Sequence, residues 1–196
     1  MSTSTSSLSL REARAIASEM VEALRPYCER VEVAGSIRRG KDRVNDIEIV
    51  AIPKTAVKQP ESDLFGKAFG GPTTVRDPGF LMVVDSLADV IVKGSPQTGR
   101  YVQFYTAEAI KVDLFLCRPE NWGYIFLIRT GSAEFSKMVA LRWSLLGYKG
   151  VEGMLTRNGT PQAFREEWEL FAALGMNTPP PHERELTANG LKPWVQ

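Results

Sequence analysis

An α/β fold follows from three features of the sequence. Segments with strand character outnumber helical ones up to residue 118, and helices dominate after it. The stretch DIEIVAIP (46–53) alternates with period two, placing Ile47, Ile49 and Ala51 on one face and Asp46, Glu48 and Val50 on the other. LSLREARAIASEMVEALRPYC instead spaces Ala13, Ile16, Met20, Val21 and Leu24 as one helix face does. The change at residue 118 is the expected boundary between a unit over 10–118 and a second over 119–196, behind a disordered Ser/Thr-rich leader over 1–9.

The elements follow in order. Ser9 is placed to cap the first helix and Pro26 to end it. VEVAG (31–35) reads as a short strand with Val31 and Val33 on one face. Gly35-Ser36 then turns the chain, and SIRRG is long enough for one helical turn. Pro53 stops the alternating strand, and 54–79 reads as loop, with Gly70-Gly71 and two prolines. A helix near 79–87 and a strand near 88–93 come next. RYVQFYT and AIKVDLFLC then pair across a short TAE connection. PENWGYIFLIRTG and AEFSKMVALRWSLLGY read as helices divided by Gly131-Ser132, and Asn158-Gly159 is the tight turn of a hairpin in VEGMLTRNGTP. The last helix is expected in PQAFREEWELFAALG, with Pro161 near its first turn and Gly175 after its last.

Composition removes several function classes. A chain of 196 residues can bury about 70% of its unfolded surface and needs no staple to fold. Cys28 and Cys117 stand far apart in unlike contexts, which argues for a reducing cytoplasm and against a disulfide scaffold. MSTSTSSLSL has no basic, apolar signal pattern, and no window approaches the roughly 18 apolar residues of a membrane helix. His182, the single histidine, lies in a proline-rich stretch, and no GxSxG accompanies it. Zinc chemistry from scattered Cys and one His is equally implausible, so any metal ligands are carboxylates. Neither GxxxxGK[ST] nor GxGxxG occurs.

The stretch GSIRRGKDRVNDIEIV (35–50) carries the chemistry. Period two sets Asp46 and Glu48 on one face about 7 Å apart. Asp113, between Val112 and Leu114 on a later strand, is costly to bury unless paired. Three such acids on adjacent strands make an oxygen cage for Mg²⁺. Two ions about 3.5–4 Å apart could stabilise both the attacking and the leaving oxygen of a displacement. A small residue before a helical turn leaves backbone N–H groups for phosphate. Ser36 adds a hydroxyl, and Arg38 or Arg39 can neutralise polyphosphate charge. Such a site would hold a nucleoside triphosphate. Taken singly, alternating acids are ordinarily a solvated face and RRGKDR a solvated loop; the combination at this spacing is what points to chemistry.

These residues resemble the family X DNA polymerases, whose signature is GS-x-RRG followed by D-x-D. Asp113 in KVDLF falls at that family's third carboxylate, RTGSAEF (129–135) is similar to its TGS-x-x-F junction, and ELFAALGMNTPPPHERE resembles its C-terminal ending. The resemblance covers about residues 10–187. It implies a nucleotidyltransferase palm with a mixed sheet over 10–118 and a small α+β domain over 119–196 that contacts nucleotide and DNA. Asp46, Glu48 and Asp113 would hold two Mg²⁺ ions, with Asp113 favouring deprotonation of a primer 3′-hydroxyl. Ser36 and Arg39 would contact the β- and γ-phosphates, with Gly35 allowing close backbone approach. Thr130 and Gly131 would lie beside the nucleotide's sugar and base, and Lys93, Arg129, Lys137 and Arg142 would touch DNA.

Departures from the pattern shape further expectations. Glu48 replaces the second Asp, which alters metal geometry and admits Mn²⁺ as a substitute. Asn45 stands where Gly is common, Ile128-Arg129 where many members carry Tyr-Phe, and Ser136 and Ala140 replace polar or basic residues. Too few residues precede Gly35 for a helical lyase domain, so the chain resembles the small viral form of the family, and no 5′-deoxyribose phosphate lyase is expected. The expectation is a monomeric, cytoplasmic polymerase filling short gaps in DNA or extending a primer-template. Transfer to RNA, a small molecule or a protein stays open, as does a catalytically silent nucleic-acid-binding module.

Overall fold

Ser9 decides where the first helix begins. In the computed structural model, which describes residues 7–62, 68–69, 71–185 and 194–195, strand β1 (Leu8–Ser9) runs directly into helix α1 (Leu10–Leu24). The Glu12 amide donates to Ser9 Oγ (3.3 Å) while the Ser9 amide donates to Glu12 Oε2 (2.9 Å), a reciprocal cap of the kind worth about 1 kcal/mol. A single 3₁₀ turn (Arg25–Tyr27) holds Pro26 where its missing N–H costs nothing. Strand β2 (Cys28–Val33), the short helix α2 (Gly35–Arg39), β3 (Arg43–Val44) and β4 (Ile47–Pro53) follow. Because β1 pairs antiparallel with β3, Leu8 and Ser9 belong to the ordered fold and not to a leader; residues 1–6 lie outside the described residues.

The stretch expected as loop contains strands. β5 (Thr55–Lys58) pairs with β8 (Thr73–Arg76), and between them β6 (Glu61–Ser62) pairs with β7 (Ala68–Phe69). TAVK and TTVR bury neither face well, so they lack the apolar alternation by which a strand is read. Helix α3 (Pro78–Leu87) is capped by Asp77, whose carboxylate accepts from the Gly79 amide (2.7 Å). Strands β9 (Val90–Gly94), β10 (Tyr101–Tyr105) and β11 (Lys111–Leu116) complete the first half close to their expected positions.

The five-stranded sheet has the order β2-β4-β11-β10-β9. The β4–β11 pair is parallel and the other neighbours are antiparallel, so the sheet is mixed. One face packs Ile47, Ile49, Ala51, Val112 and Leu114 against α1 and α3. On the other face Val50, Ile52, Phe115 and Cys117 meet Trp122 and Phe126, so one apolar cluster runs across residue 118. Both cysteines are buried free thiols, pushed by that burial up to about 12.

Helices α4 (Trp122–Thr130) and α5 (Ala133–Leu145) are separated at Gly131-Ser132, with Ser132 Oγ accepting from the Phe135 amide (3.1 Å). A three-stranded sheet follows: β12 (Tyr148–Val151), β13 (Met154–Arg157) and β14 (Thr160–Gln162). Asn158 and Gly159 have φ of 51° and 77°, as a two-residue hairpin turn requires; Glu152 and Gly153, at 49° and 81°, make a second such turn that was not anticipated. Pro161 does not open a helix. It sits on edge strand β14 opposite Thr156, where a missing donor is tolerated. Helix α6 (Glu167–Ala173) starts only after Glu166, whose amide donates to Glu169 Oε2 (3.0 Å). Among the described residues no helix is long and apolar enough to cross a membrane.

Candidate active site

The registers of four strands line up one row of polar side chains. Glu48 on β4 is level with Asp113 on β11, Asp113 with Gln103 on β10, and Gln103 with Lys93 on β9. Period-two alternation adds Asp46 beside Glu48, Lys111 beside Asp113, and Tyr101 beside Gln103. Two residues further along, the same face of β4 and β11 carries Val50 and Phe115 beneath α4. One sheet face therefore has an apolar half that docks the second half of the chain and a polar half that carries the acids.

The acids have unequal surroundings. Asp113 is 7% exposed. Its Oδ1 accepts from the Tyr101 hydroxyl (2.6 Å) and Gln103 Nε2 (2.9 Å), and its Oδ2 faces Lys111 Nζ (3.0 Å). The same ammonium donates to Asp46 Oδ2 (2.9 Å). Burial pushes the Asp113 carboxyl up, but these donors outweigh it and hold it below its ordinary range. Burial pulls Lys111 down, and its hydrogen bonds to the two carboxylates more than reverse that, holding it charged. Burial and the Asp113 carboxylate push the Tyr101 hydroxyl up to about 12, so it stays a donor. Glu48 differs: its carboxylate accepts no hydrogen bond among the described residues. Burial first, then Asp46, push it up to about 7 against the weaker pull of Arg129.

Gly35 explains why the turn lies so close. Its φ is +60°, and a Cβ there would come within 1.9 Å of Glu48 Oε2. The backbone of α2 thus begins directly over the Glu48 carboxylate, with Ser36 half-buried beside it. Arg39, expected at phosphate, donates from Nε to Glu185 Oε1 (2.8 Å) and from Nη1 to the Thr130 carbonyl (2.6 Å). Lys41 Nζ approaches the same Glu185 oxygen at 3.5 Å. Arg38 turns the other way. Its Nη1 donates to Thr130 Oγ1 (2.6 Å) and Glu167 Oε1 (2.8 Å), its Nη2 to Glu167 Oε2 (2.7 Å), and its guanidinium stacks 3.8 Å over the Phe126 ring. Arg184 clamps both oxygens of Glu167 from the far side. Burial pushes Glu167 up, but the two arginines outweigh it and leave it below its usual range.

The other expected contacts divide. Thr130 is fully buried and bound to Arg38 and Arg39, and Gly131 packs against Phe135 and Ser136, with no room for a Cβ. Arg129 is exposed, stacks 4.0 Å over Phe115 and acts electrostatically on Glu48, so it stands at the carboxylates. Lys93 lies 5.8 Å from the Tyr101 ring centre at the end of the polar row. Lys137 is exposed on α5. Arg142 instead caps α6, donating to the carbonyls of Leu174 (2.6 Å) and Gly175 (3.4 Å). Sequence reading missed Lys111, Tyr101 and Gln103, although each lies two positions from a same-face neighbour in IKVDLF or RYVQFYT. It also missed Glu167, which pairs with Arg38 across 129 residues, and Arg184, which holds the same carboxylate from 17 residues further on; neither contact leaves a local signal.

As a donor set, the acids suit a hard divalent cation. All are oxygen ligands, and two of them already converge on one cationic centre. Glu48 is turned toward Gly35, and among the described residues no three Asp, Glu, His or Cys side chains form a ready metal cluster.

No family model and no curated protein matches the sequence. The fold has clear counterparts among solved structures. The chain is similar to polymerase beta of Leishmania infantum in a ternary gap complex, with a TM-score of 0.63 at 16% identity, covering 91% of this chain and 71% of that one. Against the same enzyme in a ternary P/T complex the TM-score is 0.62 at 17% identity, covering 91% and 77%. The chain has a polymerase beta-like fold with a mixed sheet.

Proposed function

We propose that this chain is a nucleotidyltransferase that adds a nucleotide, taken from a nucleoside triphosphate, to a DNA 3′-hydroxyl, filling short gaps. The observation that carries the reading is the convergence of Asp46 and Asp113 on one cation, at the mouth of a parallel strand pair and directly beside the Gly35–Arg39 turn. Divalent ions held by Asp46, Glu48 and Asp113 would supply charge neutralisation at the phosphoryl group and a more acidic 3′-hydroxyl. The rest is work for the chain itself. Tyr101 and Gln103 fix Asp113 through one oxygen and leave the other facing the site. The α2 backbone and Ser36 offer donors to phosphate, and Arg129 and Lys93 give the polar row a cationic border for a nucleic-acid backbone. A DNA acceptor is supported by the ternary gap and P/T complexes of the similar enzyme.

The test is extension of a labelled primer on one-nucleotide-gapped DNA and of the same primer alone, with Mg²⁺ or Mn²⁺ and one nucleotide at a time. Template-matched addition that Asp113→Ala abolishes is the expected result. No addition with either metal and either sugar would overturn the DNA polymerase reading.

A further inference from the structure

Asp113 has only one oxygen to offer a metal. Its Oδ1 is saturated by the Tyr101 hydroxyl at 2.6 Å and Gln103 Nε2 at 2.9 Å. A cation bound by Asp113 must therefore approach Oδ2, and Lys111 Nζ already stands there at 3.0 Å. The same ammonium takes Asp46 Oδ2 at 2.9 Å, so it centres on two acids of the row at once. The placement is dictated by the sheet. In the parallel register Val112 faces Ile47, which sets Lys111 level with Asp46 and on the face of Asp113.

We infer that Lys111 competes with the divalent ion for Asp46 and Asp113: its ammonium must withdraw from both carboxylates as the ion binds, and it thereby sets the ion affinity of the site. The inference rests on the reading of these acids as a metal site. Two cations cannot share Asp113 Oδ2 and Asp46 Oδ2 at hydrogen-bonding distance without strong mutual repulsion. The Lys111 side chain is 28% exposed, so its flexible stem has a path into solvent. Without a competitor the acids would repel one another; with one, they stay paired and the site discriminates against singly charged ions, which gain less than a divalent ion does by displacing an ammonium.

Two measurements on the full chain, without nucleotide or DNA, test this. Mn²⁺ binding is followed by the electron paramagnetic resonance signal of free Mn²⁺ for wild type, Lys111→Met, Lys111→Arg and Asp113→Asn. Lys111→Met is expected to bind Mn²⁺ about tenfold more tightly than wild type, the effect of removing one nearby unit charge. Lys111→Arg should remain close to wild type and Asp113→Asn should bind more weakly. The second readout is acylation of Lys111 by an amine-reactive ester, followed by mass spectrometry, in wild type alone. Mn²⁺ should raise its labelling several-fold as the ammonium is released, and this arm stands even where Lys111→Met fails to fold. Asp113-dependent Mn²⁺ binding that Lys111→Met does not tighten, or Lys111 labelling indifferent to saturating Mn²⁺, would overturn the competition while leaving the metal site intact. Mn²⁺ binding that Asp113→Asn does not weaken would overturn both.

Discussion

Helix α2 touches two charge clusters, and they are built on opposite terms. At its first residue, Gly35 lies against Glu48, in a group where Asp46 and Asp113 share one lysine and Glu48 has no hydrogen-bonding partner among the described residues. At its fourth, Arg38 grips Glu167, whose two oxygens are each held again by Arg184. Both glutamates are largely withdrawn from water. Glu48 is nevertheless pushed up to about 7, whereas Glu167 is held below its usual range. A buried carboxylate with every lone pair answered ties elements together; one left under-partnered beside other acids retains the capacity to bind something else. The first group is read as chemistry and the second as the joint between α2, α4, α6 and the C-terminal segment.

Breaking the joint has the largest expected effect on stability. Glu167→Gln leaves two arginines facing an uncharged partner and should cost about 3–5 kcal/mol in a denaturant unfolding curve. The joint also fails with acid. Because the folded carboxyl of Glu167 lies below its unfolded value of 4.5, its contribution is full above that pH and is lost as pH falls through it. Glu48 carries the opposite sign. Its folded value of about 7 exceeds the unfolded 4.5, so the stability linked to it is present below pH 4.5 and lost as pH rises through 7. Glu48→Gln should therefore flatten the fall in melting temperature between pH 5 and pH 8 while lowering nucleotide transfer. A Gln that leaves the slope unchanged would mean that Glu48 is solvated like any surface acid.

Smaller effects sharpen the same contrast. Gly35→Ala forces a side chain into φ +60° and against Glu48 Oε2, at a cost of about 1–2 kcal/mol. Transfer should fall by more than that loss of stability accounts for, since Glu48 must move. Arg142→Ala removes hydrogen bonds to the α6 terminus and should cost about 1 kcal/mol, with DNA affinity unchanged. Arg129→Ala should do the reverse, weakening DNA binding with little change in stability.

The two groups were also unequally visible in the sequence. Asp46, Glu48 and Asp113 could be read because alternation puts them on one face, and because an acid between Val112 and Leu114 demands a partner. The partner itself, Lys111, carries no such signal in the sequence, because only the parallel register sets it beside Asp46. The joint was invisible for a related reason. Arg38, Glu167 and Arg184 meet only through tertiary packing, and no local periodicity links them. Elements showed the same division. The capped, amphipathic α1 was legible, whereas β5 and β8, exposed on most positions, were not, and Pro161 drew a helix start onto an edge strand.

The most direct test sets the two groups side by side in one experiment. Asp46→Asn and Glu167→Gln are each measured for unfolding free energy and for Mg²⁺-dependent nucleotide transfer to a gapped primer. Asp46→Asn should lower transfer by at least about a thousandfold, a loss on the order of 4 kcal/mol in transition-state stabilisation, and leave unfolding within about 1 kcal/mol of wild type. Glu167→Gln should lose stability and, where folded, keep transfer within about tenfold. Asp46→Asn that transfers as wild type does, or Glu167→Gln that loses transfer with its stability intact, would contradict the division of labour.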